Sequence, residues 1–305
     1  MIYAGQLECY EKAQEIVQRF LRIQVDAMKI HRLTNTYGAL AGELIKESPS
    51  IPPADEVVYA ELDGSMIQTR MGWKEVKAGR IFMKSDYVKG TEQIDGRIKH
   101  SEYVAVVGDK DEFVKVFEQS LEGYQLIQGR LVFITDGATW IKNWIEDNFP
   151  QSTQILDYYH AVEHLCDFAK EYFAETESEQ RGDWIDRQKE LLLTSQVSEV
   201  IKSIKSLPAH KKSKTARKNL LQYYHSNENR MDYAKFKNVG AGIIGSGAIE
   251  ATHRNLIQKR LKLSGQRWTI QGAQNVLNLR CLNLSNQWNK VVSLITENQI
   301  NKAAA

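Results

Sequence analysis

The pattern of apolar and polar positions changes period along the chain. From about residue 7 to residue 47 the apolar side chains Ile16, Val17, Phe20 and Leu21, and later Leu40, Leu44 and Ile45, recur at three- and four-residue steps, which predicts helix. Pro49, Pro52 and Pro53 in "ESPSIPPADE" (47–56) break that pattern and predict a linker or entry loop. The period then shortens. "EVVYAELDG" (56–64) reads as a strand ending at Asp63, "GWKEVKAGRIFMKSD" (72–86) as one or two strands with a turn at Gly79, and "SEYVAVVGD" (101–109) as another strand. "DEFVKVFEQSLEGY" (111–124) is amphipathic, with Phe113, Val116, Phe117 and Leu121 on one side. "GRLVFITDG" (129–137) predicts a buried strand ending at Asp136, "ATWIKNWIEDNF" the helix after it, and "STQILDYYH" (152–160) a fifth strand ending near Asp157. A helical pattern follows to Val239. Helices are expected again at 249–263 and 271–292, with a frayed "NKAAA" tail. The sum is an α/β fold with a helical insertion. It divides into an N-terminal helical segment (1–50), a first core part (51–160), the helical insertion (161–240) and C-terminal core helices (241–305).

Composition changes this picture little. A chain of 305 residues, 42% hydrophobic and 26% charged, can bury a core without disulfides. Cys9, Cys166 and Cys281 lie far apart with no C-x-x-C pair, which fits a reducing, cytoplasmic setting. No apolar run approaches the about 20 residues of a membrane span. Charge distribution says more. The net charge is only +2, yet Ala251 to Thr296 holds no Asp or Glu, while Arg254, Lys259, Arg260, Lys262, Arg267, Arg280 and Lys290 fall inside it. Such segregation points to a polyanion, and we expect nucleic acid. The shorter run His210, Lys211, Lys212, Lys214, Arg217 and Lys218 reads as a solvated face.

Three constellations carry candidate chemistry. Gly240, Gly242 and Gly245 spell G-x-G-x-x-G, but "DYAKFKNV" before them is a weak strand and no acid follows at the spacing a dinucleotide fold requires, so a structural turn is the expectation. "HAVEH" (160–164) matches the inverted zinc-peptidase motif, with His160 and His164 as ligands and Glu163 as base, but it is short enough to occur by chance. Asp63 and Asp136 each precede Gly and each read as strand-end carboxylates, and Glu250 is the one acid between Lys237 and Glu297. Carboxylates from neighbouring strands and a packed helix can hold two metal ions about 4 Å apart, which clamp the attacking and leaving oxygens of a phosphodiester. The blander reading of each Asp-Gly is a turn.

The stretches "ELDGSMIQTR" with "WKEVKAGRIF", "ITDGATWIKNWI", "ILDYYHAVEHL", "GSGAIEATHRNLIQKRLKLSGQRW" and "GAQNVLNLR", in that order, resemble the catalytic region of ISKra-type insertion-sequence transposases, bacterial relatives of the Mutator-like group. The resemblance covers about residues 35–290. It implies a ribonuclease-H-like mixed sheet with an all-helical insertion before the last catalytic helix. It also implies a DDE triad at Asp63, Asp136 and Glu250, holding two Mg²⁺ or Mn²⁺ ions. The D-x-x-H element of the group falls on Asp157 and His160, as an auxiliary pair or a buried structural one. Arg254, Lys259, Arg260, Lys262, Arg267 and Trp268 fall on the basic segment expected to meet DNA; for Trp268, stacking on a frayed base and packing in the core are both open. The implied function is metal-dependent cleavage and strand transfer on double-stranded DNA (transposon ends and target) by a homo-oligomer in the bacterial cytoplasm, associated with the nucleoid. A DNA-binding remnant and a hydrolytic nuclease of the same fold are the alternatives. The group usually carries an upstream DNA-binding segment, so the chain reads as a shortened copy or one half of a split gene.

Overall fold

A computed structural model describes residues 1–45, 53, 55–91 and 96–304. Most of the expected linker at 47–56 lies outside them. The helical start resolves into α1 (Ile2–Leu7), α2 (Tyr10–Leu21) and α3 (Ala27–Ile45). Arg22, at φ 56°, ends α2 in the left-handed region. The α2 pattern turns Ala13 and Val17 inward, whereas Phe20 stands 82% exposed. The strands are β1 (Val58–Thr69), β2 (Gly72–Met83), the short pair β3 (Tyr87–Val88) and β4 (Arg97–Ile98), then β5 (Glu102–Val107), β6 (Leu131–Thr135) and β7 (Thr153–Leu156). Between them lie α4 (Lys110–Leu121) and α5 (Thr139–Asn148). The helical block holds α6 (Tyr158–Tyr172), α7 (Ser178–Leu193), α8 (Val197–Ser206), α9 (Lys214–Asn227) and α10 (Tyr233–Phe236). The chain closes with α11 (Gly247–Thr252), a π-helical turn (His253–Gln258), α12 (Lys259–Leu261), α13 (Ile270–Leu284) and α14 (Trp288–Ala304).

Five strands form one mixed sheet in the order β5-β2-β1-β6-β7, so the α/β class holds. β2 and β5 run antiparallel, from Val76 opposite Val107 to Ile81 opposite Glu102; β6 and β7 run parallel, from Val132 opposite Thr153 to Thr135 opposite Leu156. Two strand expectations need correction. β1 continues past Asp63 to Thr69, so Asp63 lies mid-strand and its Asp-Gly is no turn; the reversal comes at Gly72, φ 92°. Gly79 does not turn the chain either. β2 runs straight through it, and a Cβ there would stand 2.4 Å from the Phe117 ring, so glycine makes the seat into which α4 packs.

The chain forms two compact units, each described by itself: Met1–Glu56, Ala60–Leu126 and Gly247–Ala305 make the first, Val57–Tyr59 and Ile127–Ser246 the second. β1 begins in the second and continues in the first. In the first unit, Ile67, Val76, Ala78, Ala105 and Val107 from the strands pack with Ile249, Leu256, Ile257, Val276 and Leu277 from the C-terminal helices. In the second, Phe133, Trp144 and Phe149 meet ring to ring under β6, with centroids 5.3–5.8 Å apart.

The first unit also holds a buried cation. Arg280 of α13 donates from Nε to Leu256 O (2.7 Å), from Nη1 to Gln6 O (2.8 Å), and from Nη2 to Asn255 O. The π turn explains two of these acceptors. Lys259 N reaches back to Arg254 O, five residues away, and this wider ladder leaves main-chain carbonyls to be satisfied from outside the helix. Burial, then the charge of Arg260, pulls the Arg280 guanidinium down to about 10. Arg280→Met should therefore lower stability by about 3 kcal/mol, since it strands three carbonyls, those of Leu256 and Gln6 buried and that of Asn255 partly so, and urea unfolding of the two proteins measures it.

Candidate functional site

Glu61 and Asp63 are two residues apart on β1, so their side chains stand on the same face of the sheet. Both take the same helix. Glu61 is fully buried, and its Oε2 accepts a hydrogen bond from Ile249 N at 2.7 Å, in the N-terminal turn of α11 where main-chain N–H groups lack helical partners. Asp63 Oδ2 meets His253 Nε2 at 3.1 Å, and its Oδ1 accepts from Gly64 N at 2.6 Å. From β2, Arg80 adds a third tie, Nη1 to Ala248 O at 2.7 Å, while its Nε donates to Ser101 Oγ at 2.9 Å. The segment that carries Glu250 is thus bonded at the residue before it and three residues after it to the strand that carries Asp63. Glu250 itself is exposed.

Asp136 belongs to the second unit. It follows β6 directly; its Oδ1 accepts from Ala138 N (2.9 Å) and its main-chain carbonyl accepts from the Tyr223 hydroxyl (2.8 Å). Burial, then the nearby Asp136 charge, raises the Tyr223 phenol well above its ordinary range, so it stays a donor. Asp157 does not extend the fifth strand: β7 stops at Leu156, and Asp157 caps α6, so Tyr158–His160 are helical. Its Oδ1 accepts from Tyr159 N (2.9 Å) and Ser246 N (3.2 Å), and its Oδ2 faces Ser246 Oγ and His160 Nδ1 (2.8 Å). Burial alone would raise this carboxyl, but the bonds from His160, Ser246 and Tyr159 outweigh it and hold it below the ordinary aspartate value. The Asp157–His160 pair is therefore one bonded unit, with Asp157 fully buried and the His160 side chain 34% exposed.

The glycine stretch is structural, as expected. Gly240 (φ 57°) and Gly242 (φ 71°) are left-handed. A Cβ on Gly240 would stand 2.6 Å from the Tyr59 hydroxyl, which itself donates to Val239 O (2.9 Å) and accepts from Ala241 N (2.8 Å). In "HAVEH", His164 is exposed and lies against the Tyr223 ring, centroids 4.2 Å apart, while His160 is engaged by Asp157.

The basic segment divides by burial. Arg254, Lys259, Lys262 and Arg267 are exposed, and Lys262 Nζ donates to Ser65 Oγ at 2.8 Å. Arg260 corrects its expected role. It is fully buried, its Nε donates to Gly5 O (3.2 Å), and its guanidinium lies between the Tyr10 and Trp268 rings, 4.9 and 4.8 Å from their centroids, so it cannot reach a duplex backbone from the surface. Trp268 is core as well, 8% exposed, with Nε1 donating to Leu261 O (3.1 Å). The π turn rotates the helix after His253 relative to a regular 3.6-residue period, which turns Arg260 inward, and the main chain of Trp268 is held to Gln68 and Arg70.

Among the described residues, no group of three or more His, Cys, Asp and Glu side chains is gathered to hold a metal ion. Asp63, Asp136 and Glu250 are each carboxylates, the donor type that the hard cations Mg²⁺ and Mn²⁺ take together with substrate phosphates. Sequence reasoning missed Glu61, His253 and Ser246. The first two had a signal: Glu61 shares the strand face of Asp63, and His253 lies three residues from Glu250. Ser246 had none, because only the folded chain brings it to Asp157.

No family model matches the chain, and no curated protein matches it significantly. No helix among the described residues is long and apolar enough to cross a membrane.

The bonded Asp157 cluster makes a pH-dependent prediction. Asp157→Asn puts an amide donor or a single acceptor against Ser246 Oγ and His160 Nδ1, and should lower stability by about 2 kcal/mol at neutral pH. A depressed carboxyl stabilises above its unfolded value, and that contribution disappears as pH falls through the folded value. Urea midpoints should therefore show the gap between wild type and variant closing as pH drops below about 4.

Proposed function

We propose that the chain is a DDE-type transposase that cuts DNA and transfers the cut strand, with Asp63, Asp136 and Glu250 as its carboxylates and a ribonuclease-H-like sheet as its frame. The observation that carries this reading is the docking of the Glu250 segment on the strand of Asp63, through Glu61 to Ile249 N and Asp63 to His253. The segment that carries Glu250, at the start of the basic stretch, is held on that strand by one buried and one part-buried carboxylate, which a purely solvated face would not need. The mixed sheet interrupted by a helical block before α11 also supports it.

In this reading Asp63, Asp136 and Glu250 would be the residues that hold Mg²⁺ or Mn²⁺, which would supply the charge that lowers the barrier to in-line displacement at phosphorus. His253 Nε2 sets the orientation of the Asp63 carboxylate. Arg254, Lys259, Lys262 and Arg267 hold phosphates and carry no base preference. Asp157 fixes the His160 ring through Nδ1, so His160 can orient a phosphate or the leaving oxygen. A water oxygen bonds to phosphorus while the 3′-oxygen leaves and takes up a proton. That 3′-hydroxyl then attacks a phosphorus of the target strand, whose own 3′-oxygen departs. Double-stranded DNA is the partner, and action on paired ends calls for a homo-oligomer.

Asp63→Asn, Asp136→Asn and Glu250→Gln should each lower Mg²⁺-dependent cleavage of DNA by about 10³-fold or more, with duplex binding retained in a gel-shift assay. Ordinary cleavage by any of the three would remove that residue from the site. DNA shifted but never cut by the wild type would mark a binding remnant, and cleavage without joined products a hydrolytic nuclease.

A further inference from the structure

The hairpin of β1 and β2 leaves a group of large apolar side chains in solvent. Trp73 is 62% exposed, Met71 76% and Met66 45%. Among the described residues Trp73 is the one exposed tryptophan of six. The turn between the strands is only Arg70 and Met71. A Cβ on Gly64 would meet the Glu75 side chain, so these two residues share a face of the ribbon. Side chains alternate along a strand, so Met66, two residues after Gly64, and Trp73, two before Glu75, stand on that face as well. It faces away from the core, since Ile67 and Val76, on the opposite face, pack with the C-terminal helices.

The tip is held firmly. Thr69 Oγ1 donates to Gly72 O (2.6 Å) and accepts from Met71 N (3.1 Å), and Gly72 takes φ 92°. The free edge of β1 is tied to the segment before α13: Arg70 N donates to Trp268 O (2.8 Å) and Trp268 N to Gln68 O (3.2 Å). A ring presented on so fixed a ribbon gives up little freedom when a partner stacks on it.

The neighbouring charges choose the partner. Arg70, on the turn, is exposed, and so are Lys262 and Arg267 on the segment beside β1, where Lys262 Nζ donates to Ser65 Oγ (2.8 Å). The acid on the apolar face, Glu75, is paired with Lys77, Nζ to Oε2 at 2.5 Å. Three apolar side chains next to three exposed cations are too few and too charged for the core of a protein interface, which is broad and poor in charge. An unstacked nucleotide suits both parts. Its base offers a flat face to an aromatic ring whatever the sequence, and its phosphates suit the cations. Methionine is among the side chains that wedge between base steps. We propose that the hairpin tip is a wedge for DNA: Trp73 stacks on a base that has left the duplex, Met71 fills the step it vacates, and Arg70, Lys262 and Arg267 hold the flanking phosphates. This inference rests on the DNA reading above and adds to it the place where the duplex is opened.

The test is a fluorescence-anisotropy titration of the full chain against three probes: a paired duplex, the same duplex with one unpaired adenosine, and the same with one unpaired thymidine. Wild type should favour both unpaired-base duplexes over the paired one by about tenfold. Trp73→Ala should lose that preference and keep its affinity for the paired duplex, whereas Trp73→Phe, which retains a ring, should keep most of it. Thermal melting confirms that each variant is folded, and Met71→Ser, which should lower the preference by about threefold, serves as a second variant at the tip. Duplex binding without the preference, or a preference that survives Trp73→Ala, overturns the wedge and leaves the DNA reading standing. Self-association of wild type that Trp73→Ala abolishes, with no preference for an unpaired base, overturns the wedge in favour of an interface between copies of the chain. No binding of any probe overturns both the wedge and the DNA reading.

Discussion

The first unit depends on how a buried guanidinium completes a helix that is wound too wide. The turn His253–Gln258 is π-helical, and carbonyls at Asn255 and Leu256 turn out of the ladder. Arg280 answers them and, with the same group, the carbonyl of Gln6. One side chain therefore ties α1, α13 and the π turn together. A regular helix would need no such partner and would present different residues inward. With the π turn, Leu256, Ile257, Arg260 and Leu261 face the core. A cation so placed is expensive to desolvate, and it is retained because each of its three nitrogens meets an acceptor.

The same wide turn sets the candidate site. His253 is its first residue, and its Nε2 lies on Asp63. Upstream, Glu61 takes the Ile249 amide. Two carboxylates of alternating strand residues thus hold one helical segment at two points, with Glu250 between them. In the second unit, Asp157 plays a comparable part with different means. It collects two main-chain amides, a hydroxyl and an imidazole, so that the turn before α11 and the start of α6 share one buried charge. The Asp157 arrangement follows from the cost of burying a carboxylate: donors hold it below its ordinary value, and the donors are thereby fixed.

Downstream of the π turn, burial sorts residues that composition treats alike. Arg260 and Arg267 lie seven residues apart in the same basic window. The first is enclosed by Tyr10 and Trp268, whereas the second is exposed. That division moves part of a presumed DNA-binding stripe into the core.

The chain's own pattern determined a good deal. Alternation and 3.6-residue periodicity located the strands β5, β6 and β7 and the helices α4, α5 and the block from α6 onward, because those segments bury one face and must show it in their spacing. The mismatch of the G-x-G-x-x-G stretch with a nucleotide fold was also legible, and Gly240 and Gly242 have the left-handed backbone of a turn. Local pattern misjudged β1 beyond Asp63 and the supposed turn at Gly79, since a strand that is buried around a glycine looks broken until Phe117 is seen to fill the gap. It could name Asp63, Asp157 and Glu250 as acids worth attention, but it could not supply their partners. Those come from residues 89 to 190 positions away in the chain, Ser246 for Asp157 and His253 for Asp63. Spacing along a chain encodes which face a residue takes within its own element. Which donor stands opposite a buried charge is a property of packing, and only the tertiary structure decided it.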